Sequence, residues 1–261
     1  QSNNYILAVG ASHTQGKEVS NGFRYTDLLN SYYGFDKKEK KVYNLSQDAY
    51  FFPDIIRNFK AILSEFPNSS AIIIELMKTV ETPEDLTKAL KQRKYDELNN
   101  GQRTSENLSR KKKFTIAIKE EIPILSIVKK QVETAFKKEE DVEQDKIDMQ
   151  KYNNALEKCL RLIRSEYNGK LIIIYHPEIS ICETGMEIRN DDTANIFEEQ
   201  CKKQNIIFLN LGGIFMKHYK SDYSVPYGFM NTVIGSGHLN KTGHKIIADE
   251  LFNLLKEAGV E

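Results

Sequence analysis

Two side chains at opposite ends of the chain have the types that acyl-transfer chemistry requires. Ser12 stands in "YILAVGASHTQG" (residues 5–16), where mostly apolar residues run into Gly10 and then into Ala11, Ser12, His13 and Thr14. His238 stands in "NTVIGSGHLNKTGHKIIADEL" (231–251), in a glycine-rich loop just ahead of a closing amphipathic segment. A serine hydroxyl is a weak nucleophile until a base takes its proton, and neutral imidazole suits that task near pH 7. Ser12 would leave a strand and open a helix, so helix-start N–H groups would face negative charge developing beside it. Taken alone, a serine at a strand exit is more often a helix cap than a nucleophile. Gly235 and Gly237 leave the His238 loop free to approach other groups closely, and Asn240 or Thr242 is placed to cap the helix behind it.

Other polar groups are expected near strand ends. Asp48 follows the second apolar run, where it reads either as a neighbour of Ser12 or as a helix-start carboxylate. Glu75, His176 and Asn231 are candidates to line a pocket, although His176 in "YHPE" also fits a plain turn. His13 is expected to diverge from Ser12, because adjacent residues on a helix point apart. His244, inside the closing helix, reads as structural.

These residues need a scaffold that gathers them. Five short apolar runs, 5–10, 41–45, 71–76, 170–176 and 205–211, are rich in isoleucine and valine and apolar on both faces. That pattern predicts strands inside a parallel sheet. Helical periodicity separates them. Pro53 can open a helix in "FFPDIIRNFKAILSEF", and "NNALEKCLRLIRSEY" and "DDTANIFEEQCKKQ" each precede a strand. "NKTGHKIIADELFNLLKEAG" closes the chain. Alternating strand and helix predicts a doubly wound α/β sandwich, with function at the carboxyl ends of the strands. Residues 80–155 interrupt this rhythm with a highly charged stretch far longer than an ordinary crossover, read as a helical insertion that is either a lid or solvated packing.

Composition removes several classes. Lys plus Arg equals Asp plus Glu at 37 each, so bulk charge favours neither nucleic acid nor an anionic surface. Three scattered cysteines and five histidines without metal-ligand spacing predict no disulfide framework, no metal and no cofactor. No apolar run reaches the roughly 20 residues of a membrane helix. A strand opening at residue 5 fits a cytoplasmic chain and equally a secreted or cell-surface chain trimmed of a leader.

"GASHT" and "GHLNKTGHKIIADEL" together resemble the first and last blocks of the SGNH (GDSL-type) hydrolases, and "IIIYHPEIS" and "YGFMNTVIGSGHLN" resemble a bacterial subgroup of them often found beside cell-surface polysaccharide functions. The resemblance implies a flavodoxin-like three-layer α/β/α sandwich with a mostly parallel five-stranded sheet, as a single domain over 1–261 carrying the insertion at about 80–155. It implies Ser12 as nucleophile, His238 as general base, and the backbone N–H groups of Ser12 and Ala49 as oxyanion donors. The implied reaction is hydrolysis of small O-acyl esters, O-acetyl included, on a small ester or acylated glycan. A glycan O-acyltransferase or a degenerate carbohydrate-binding module would use the same frame. Three departures stand out. Ala11 occupies the place of the usual aspartate, Gly235 occupies the place of the usual acid before the histidine, and "ELMKTVET" lacks the third-block asparagine, leaving Glu75, Lys78 or Thr79 in its region.

Overall fold

Isoleucine-rich strands form the centre of the molecule. The computed structural model describes residues 5–34, 41–77, 81–99, 148–189, 191–229 and 233–260. In chain order the elements are β1 (Tyr5–Val9), α1 (Ser12–Gln15), α2 (Tyr25–Tyr32), β2 (Val42–Asn44), α3 (Phe52–Glu65), β3 (Ser69–Met77) and α4 (Pro83–Asn99). They continue as α5 (Met149–Glu166), β4 (Lys170–His176), β5 (Ile179–Cys182), β6 (Gly185–Ile188) and α6 (Asp192–Lys203). β7 (Ile207–Asn210), α7 (Leu211–Asp222) and α8 (Lys241–Glu257) follow.

β2, β1, β3, β4 and β7 pair in that order, all parallel. All five predicted strands are present. Counting only these strands, the order is 2-1-3-4-5, the doubly wound arrangement in which the chain reverses direction between its first and third strands. The carboxyl end of β1, where Ser12 follows, lies at that reversal.

Strand side chains alternate between faces, and both faces are covered. One carries Ile6, Ala8, Ala71, Ile73, Ile172 and Ile174, buried with side chains of α2, α7 and α8. Fully burying an isoleucine contributes about 1.5–3 kcal/mol, so this row holds the sheet to its helices. The other face carries Leu7, Val9, Ile72, Ile74 and Ile173, all fully buried. On that side Phe52 of α3 meets Phe197 of α6 edge-on, with ring centroids 5.0 Å apart.

Helix starts follow local chemistry. Pro53 lies in the first turn of α3. Asp148, Asp191 and Asn210 accept hydrogen bonds from N–H groups in the first turns of α5, α6 and α7. Asn240 does the same for α8, accepting from Gly243 N–H at 3.0 Å, so of the two candidate caps it is Asn240 that acts. The β5–β6 hairpin, α2 and α7 were not anticipated. The hairpin strands are four residues each, too short for period-2 alternation to register, and α7 opens on "LGGIF", whose glycine pair gives no helical signal.

Residues Gln1–Lys91 and Asp148–Glu261 form one compact unit and Gln92–Ile147 another. Of the expected insertion at 80–155, α4 and the start of α5 are helical as read. Residues 100–147, and with them the lid reading, lie outside the described residues.

Candidate active site

Ser12 sits at the first position of a one-turn helix directly after β1. Gln15 N–H bonds to Ala11 O, and Lys17 N–H bonds to Ser12 O, each at 3.0 Å. Gly16, in the left-handed region at φ +71°, ends the turn, and Glu18 follows in the same region at φ +70°. These two positive-φ residues turn the chain back on itself. The Glu18 carboxylate thereby reaches the loop ahead of α8.

That loop is tied down on both sides. Gly228 N–H donates to His238 O at 3.0 Å, and Asn240 N–H donates to Pro226 O at 2.9 Å. Leu239 N–H donates to His13 Nδ1 at 3.3 Å, joining the loop to the Ser12 turn. His238 Nδ1 lies 3.2 Å from Glu18 Oε2. With Nδ1–H donating to the carboxylate, Nε2 is left as the acceptor nitrogen, the tautomer a general base needs. Gly235 explains why no acid precedes His238 locally. It has φ +84°, and a Cβ there would lie 2.6 Å from Ile181 Cγ1 of β5. A side chain at 235 is strained by its φ and would have to displace Ile181, and the carboxylate arrives from the other end of the chain.

Ser12 and His238 are brought to the same end of the sheet, bridged by His13, whose ring is 5.8 Å from that of His238. Among the described residues no hydrogen bond joins the Ser12 hydroxyl to His238. Catalytic hydrogen bonds are commonly longer without substrate. The loop after β2 borders the site as well. Leu45 N–H and Gln47 N–H donate to Ala8 O and Gly10 O at 2.8 and 3.0 Å, holding that loop along the exit of β1. Ala49 in this loop has φ +56°, the left-handed conformation that favours glycine. Asp48 is exposed and paired with Lys17 Nζ at 3.0 Å. That hydrogen bond holds its carboxyl below the usual range, and His238 adds to the effect.

A cavity of about 240 Å³ opens beside this turn, lined by His13, Met77, His176, Tyr227, Ser236 and Gly237 among others. His176 is among the residues lining this cavity. His13 does not turn away from it. Its ring stacks on His176 with centroids 4.8 Å apart and planes 19° from parallel. Burial, and then the neighbouring His238, push the His13 imidazole down to about 3, and burial pushes His176 well below its ordinary value. Both are neutral near pH 7, so the pocket wall carries no charge from them. Glu75 is not among the residues lining this cavity; it is buried beneath the Ser12 turn. His244 is structural, its Nδ1 accepting from Tyr25 N–H at 3.2 Å. Asn231, Lys78 and Thr79 lie outside the described residues. Among those described, no group of three or more His, Cys, Asp or Glu could hold a metal.

Glu18, His13 and Tyr227 were not singled out by the sequence as site residues. Glu18 lies six residues after Ser12 with no motif to mark it. Only the reversal at Gly16 and Glu18 itself carries it back.

No protein-family profile matches the chain, and no curated protein matches it in sequence. Solved structures do. A catalytic mutant of the acetylxylan esterase Axe2 from Geobacillus stearothermophilus aligns with a TM-score of 0.52 at 12% identity, over 100% of this chain and 96% of that one. The psychrotrophic esterase EstA from Pseudoalteromonas sp. aligns at 0.52 and 14% identity, over 97% of each chain. The acetyl xylan esterase AlAXEase aligns at 0.51 and 12% identity, over 96% of this chain and 99% of that one. The chain shares the three-layer α/β fold of these esterases along nearly its whole length.

Proposed function

We propose that this chain is a serine esterase that removes small O-acyl groups, O-acetyl among them, from an acylated carbohydrate. The observation that carries the reading is the Glu18–His238 contact of 3.2 Å at the end of the sheet where Ser12 emerges: with Nδ1–H donated to the carboxylate, Nε2 is the nitrogen left to act as base. Kinship in fold with acetylxylan esterases supports an acetylated sugar as the substrate class.

In this mechanism His238 Nε2 takes the Ser12 proton as Oγ attacks the ester carbonyl carbon. Negative charge moves to the carbonyl oxygen. The Ser12 N–H, at a helix start with no intrahelical acceptor, and the Ala49 N–H are the donors for it. Collapse breaks the bond to the sugar oxygen, which leaves with the proton from His238. Water, deprotonated by His238, then attacks the acyl-Ser12 carbonyl, and the carboxylic acid departs as Ser12 recovers its proton. Glu18 stabilises the imidazolium in both halves. The neutral His13, His176 and Tyr227 wall next to the turn suits an uncharged acyl or sugar group.

The test is acetate release from an acetylated xylo-oligosaccharide and from 4-nitrophenyl acetate. Ser12→Ala should lower both to the uncatalysed rate with an unchanged circular dichroism spectrum. Activity that survives Ser12→Ala removes Ser12 as nucleophile.

A further inference from the structure

The helix that begins with Ser12 has no acceptor of its own for its first N–H groups. Its N-cap is Ala11, which makes no side-chain cap. Four residues of helix supply little cooperativity, so the geometry of this turn must be imposed from outside.

Glu75 imposes it. β1 and β3 pair with Val9 opposite Ile74, which sets Glu75 beside Gly10, the residue after β1. The Glu75 side chain is 3% exposed, and its Oε2 accepts the Thr14 N–H at 2.6 Å. Oε1 has no hydrogen-bond partner. Burial raises the Glu75 carboxyl to about 7, and the Thr14 hydroxyl with the N–H groups of Thr14, Ala11 and His13 oppose that rise. Gly10 is shaped to this contact. A Cβ there would lie 2.4 Å from Glu75 Cβ and 2.6 Å from its Oε2. Thr14 is fixed from its other side, its hydroxyl 2.9 Å from that of Tyr25. Burying a carboxyl group this fully is costly unless it holds something in place.

We infer that Glu75 is the positioning carboxylate of the Ser12 turn, reaching from β3 to supply the acceptor that Ala11 lacks. It touches no substrate. It fixes α1 so that the Ser12 Oγ and N–H are aimed together, and Gly10 is the vacancy that admits it. The inference rests on Ser12 being the nucleophile, and the test separates the two.

The wild-type chain, Glu75→Leu, Glu75→Gln and Glu75→Asp are treated with an alkyl fluorophosphonate, and adducts are located by peptide mass spectrometry. kcat and KM for 4-nitrophenyl acetate and the amide exchange of Thr14 are followed alongside. Glu75→Leu should lower kcat and the labelling rate together by roughly 10²-fold, the cost of a misplacement of about 1 Å, with KM within twofold. Its Thr14 amide should exchange faster while those of Ile72–Ile74 stay protected. Glu75→Gln keeps an acceptor oxygen at the same reach and should recover most of the loss. Glu75→Asp keeps the charge but falls short by one methylene and should remain impaired, which serves if the leucine variant does not fold. Wild-type chain that takes no label at Ser12 sinks both the nucleophile and its brace. Wild-type labelling at Ser12 with an unchanged rate and unchanged Thr14 exchange in the leucine or aspartate variant sinks the role of Glu75 alone.

Discussion

Replacing Glu18 by glutamine keeps the size of the side chain and one acceptor oxygen and removes only the charge. In the wild-type chain that charge stands 3.2 Å from His238 Nδ1. When His238 takes the Ser12 proton it becomes a cation, and the Coulombic gain at this separation runs from about 1 kcal/mol in bulk water to about 5 at the screening typical of a protein surface. The exposures decide where in that range the pair falls. Glu18 is 47% and His238 24% exposed, so solvent screens much of the gain. A loss of about 1.5–3 kcal/mol follows, or roughly 10- to 150-fold in kcat/KM for ester hydrolysis. This is smaller than a buried triad acid would give. The assay is steady-state hydrolysis by the wild-type chain, Glu18→Gln and Glu18→Gly at low and high salt. Glycine relieves the positive φ while deleting the carboxylate, so it should be about as impaired as glutamine and more stable. Raising the salt should narrow the difference between the wild-type chain and Glu18→Gln. A kcat/KM within twofold of wild type for both variants would refute the orienting role of Glu18.

Two further outcomes follow, one from the buried titratable groups and one from backbone strain. Burial pushes His13 to about 3, His244 to about 4 and His176 well below its ordinary value, so the folded chain keeps all three neutral where the unfolded chain protonates them. Unfolded chains then bind more protons, and stability falls as pH drops below about 6.5 toward 4. Glu75, raised to about 7 by burial, opposes this by about one proton between roughly 4.5 and 7. The net of about two protons gives at most about 2.7 kcal/mol per pH unit, and a melting temperature flat from pH 7 to 4.5 would contradict it. Ala49→Gly should stabilise the chain by about 1 kcal/mol by releasing φ +56°, with activity retained because the oxyanion donor proposed there is a backbone N–H. A lower melting temperature in denaturation would contradict the strain, and lost activity would contradict the backbone role.

Much of this molecule was legible in its amino-acid order. Buried parallel strands must be apolar on both faces, so runs such as "AIIIEL" and "KLIIIYH" announce themselves without help from neighbours. The closing helix is equally plain, because its apolar period and its Asn240 cap are local features. Ser12 and His238 stood out only as a pair, when "GASHT" was set against "GHLNKTGHKIIADEL" and both against the family blocks they resemble. The resemblance also located the gaps at Ala11 and Gly235. What fills those gaps was not legible. Glu18 and Glu75 are ordinary acids in sequence, 6 and 63 residues from Ser12, and no period or spacing ties either one to it. Glu75 is delivered by the register of β3 against β1, and Glu18 by the left-handed conformations of Gly16 and of Glu18 itself. Pairing register and backbone reversal are long-range or conformational facts that emerge only when the sheet closes. Residue types, local periods and the family resemblance picked out the proposed nucleophile, the proposed base and the frame; three-dimensional packing supplied the carboxylates proposed to aim them.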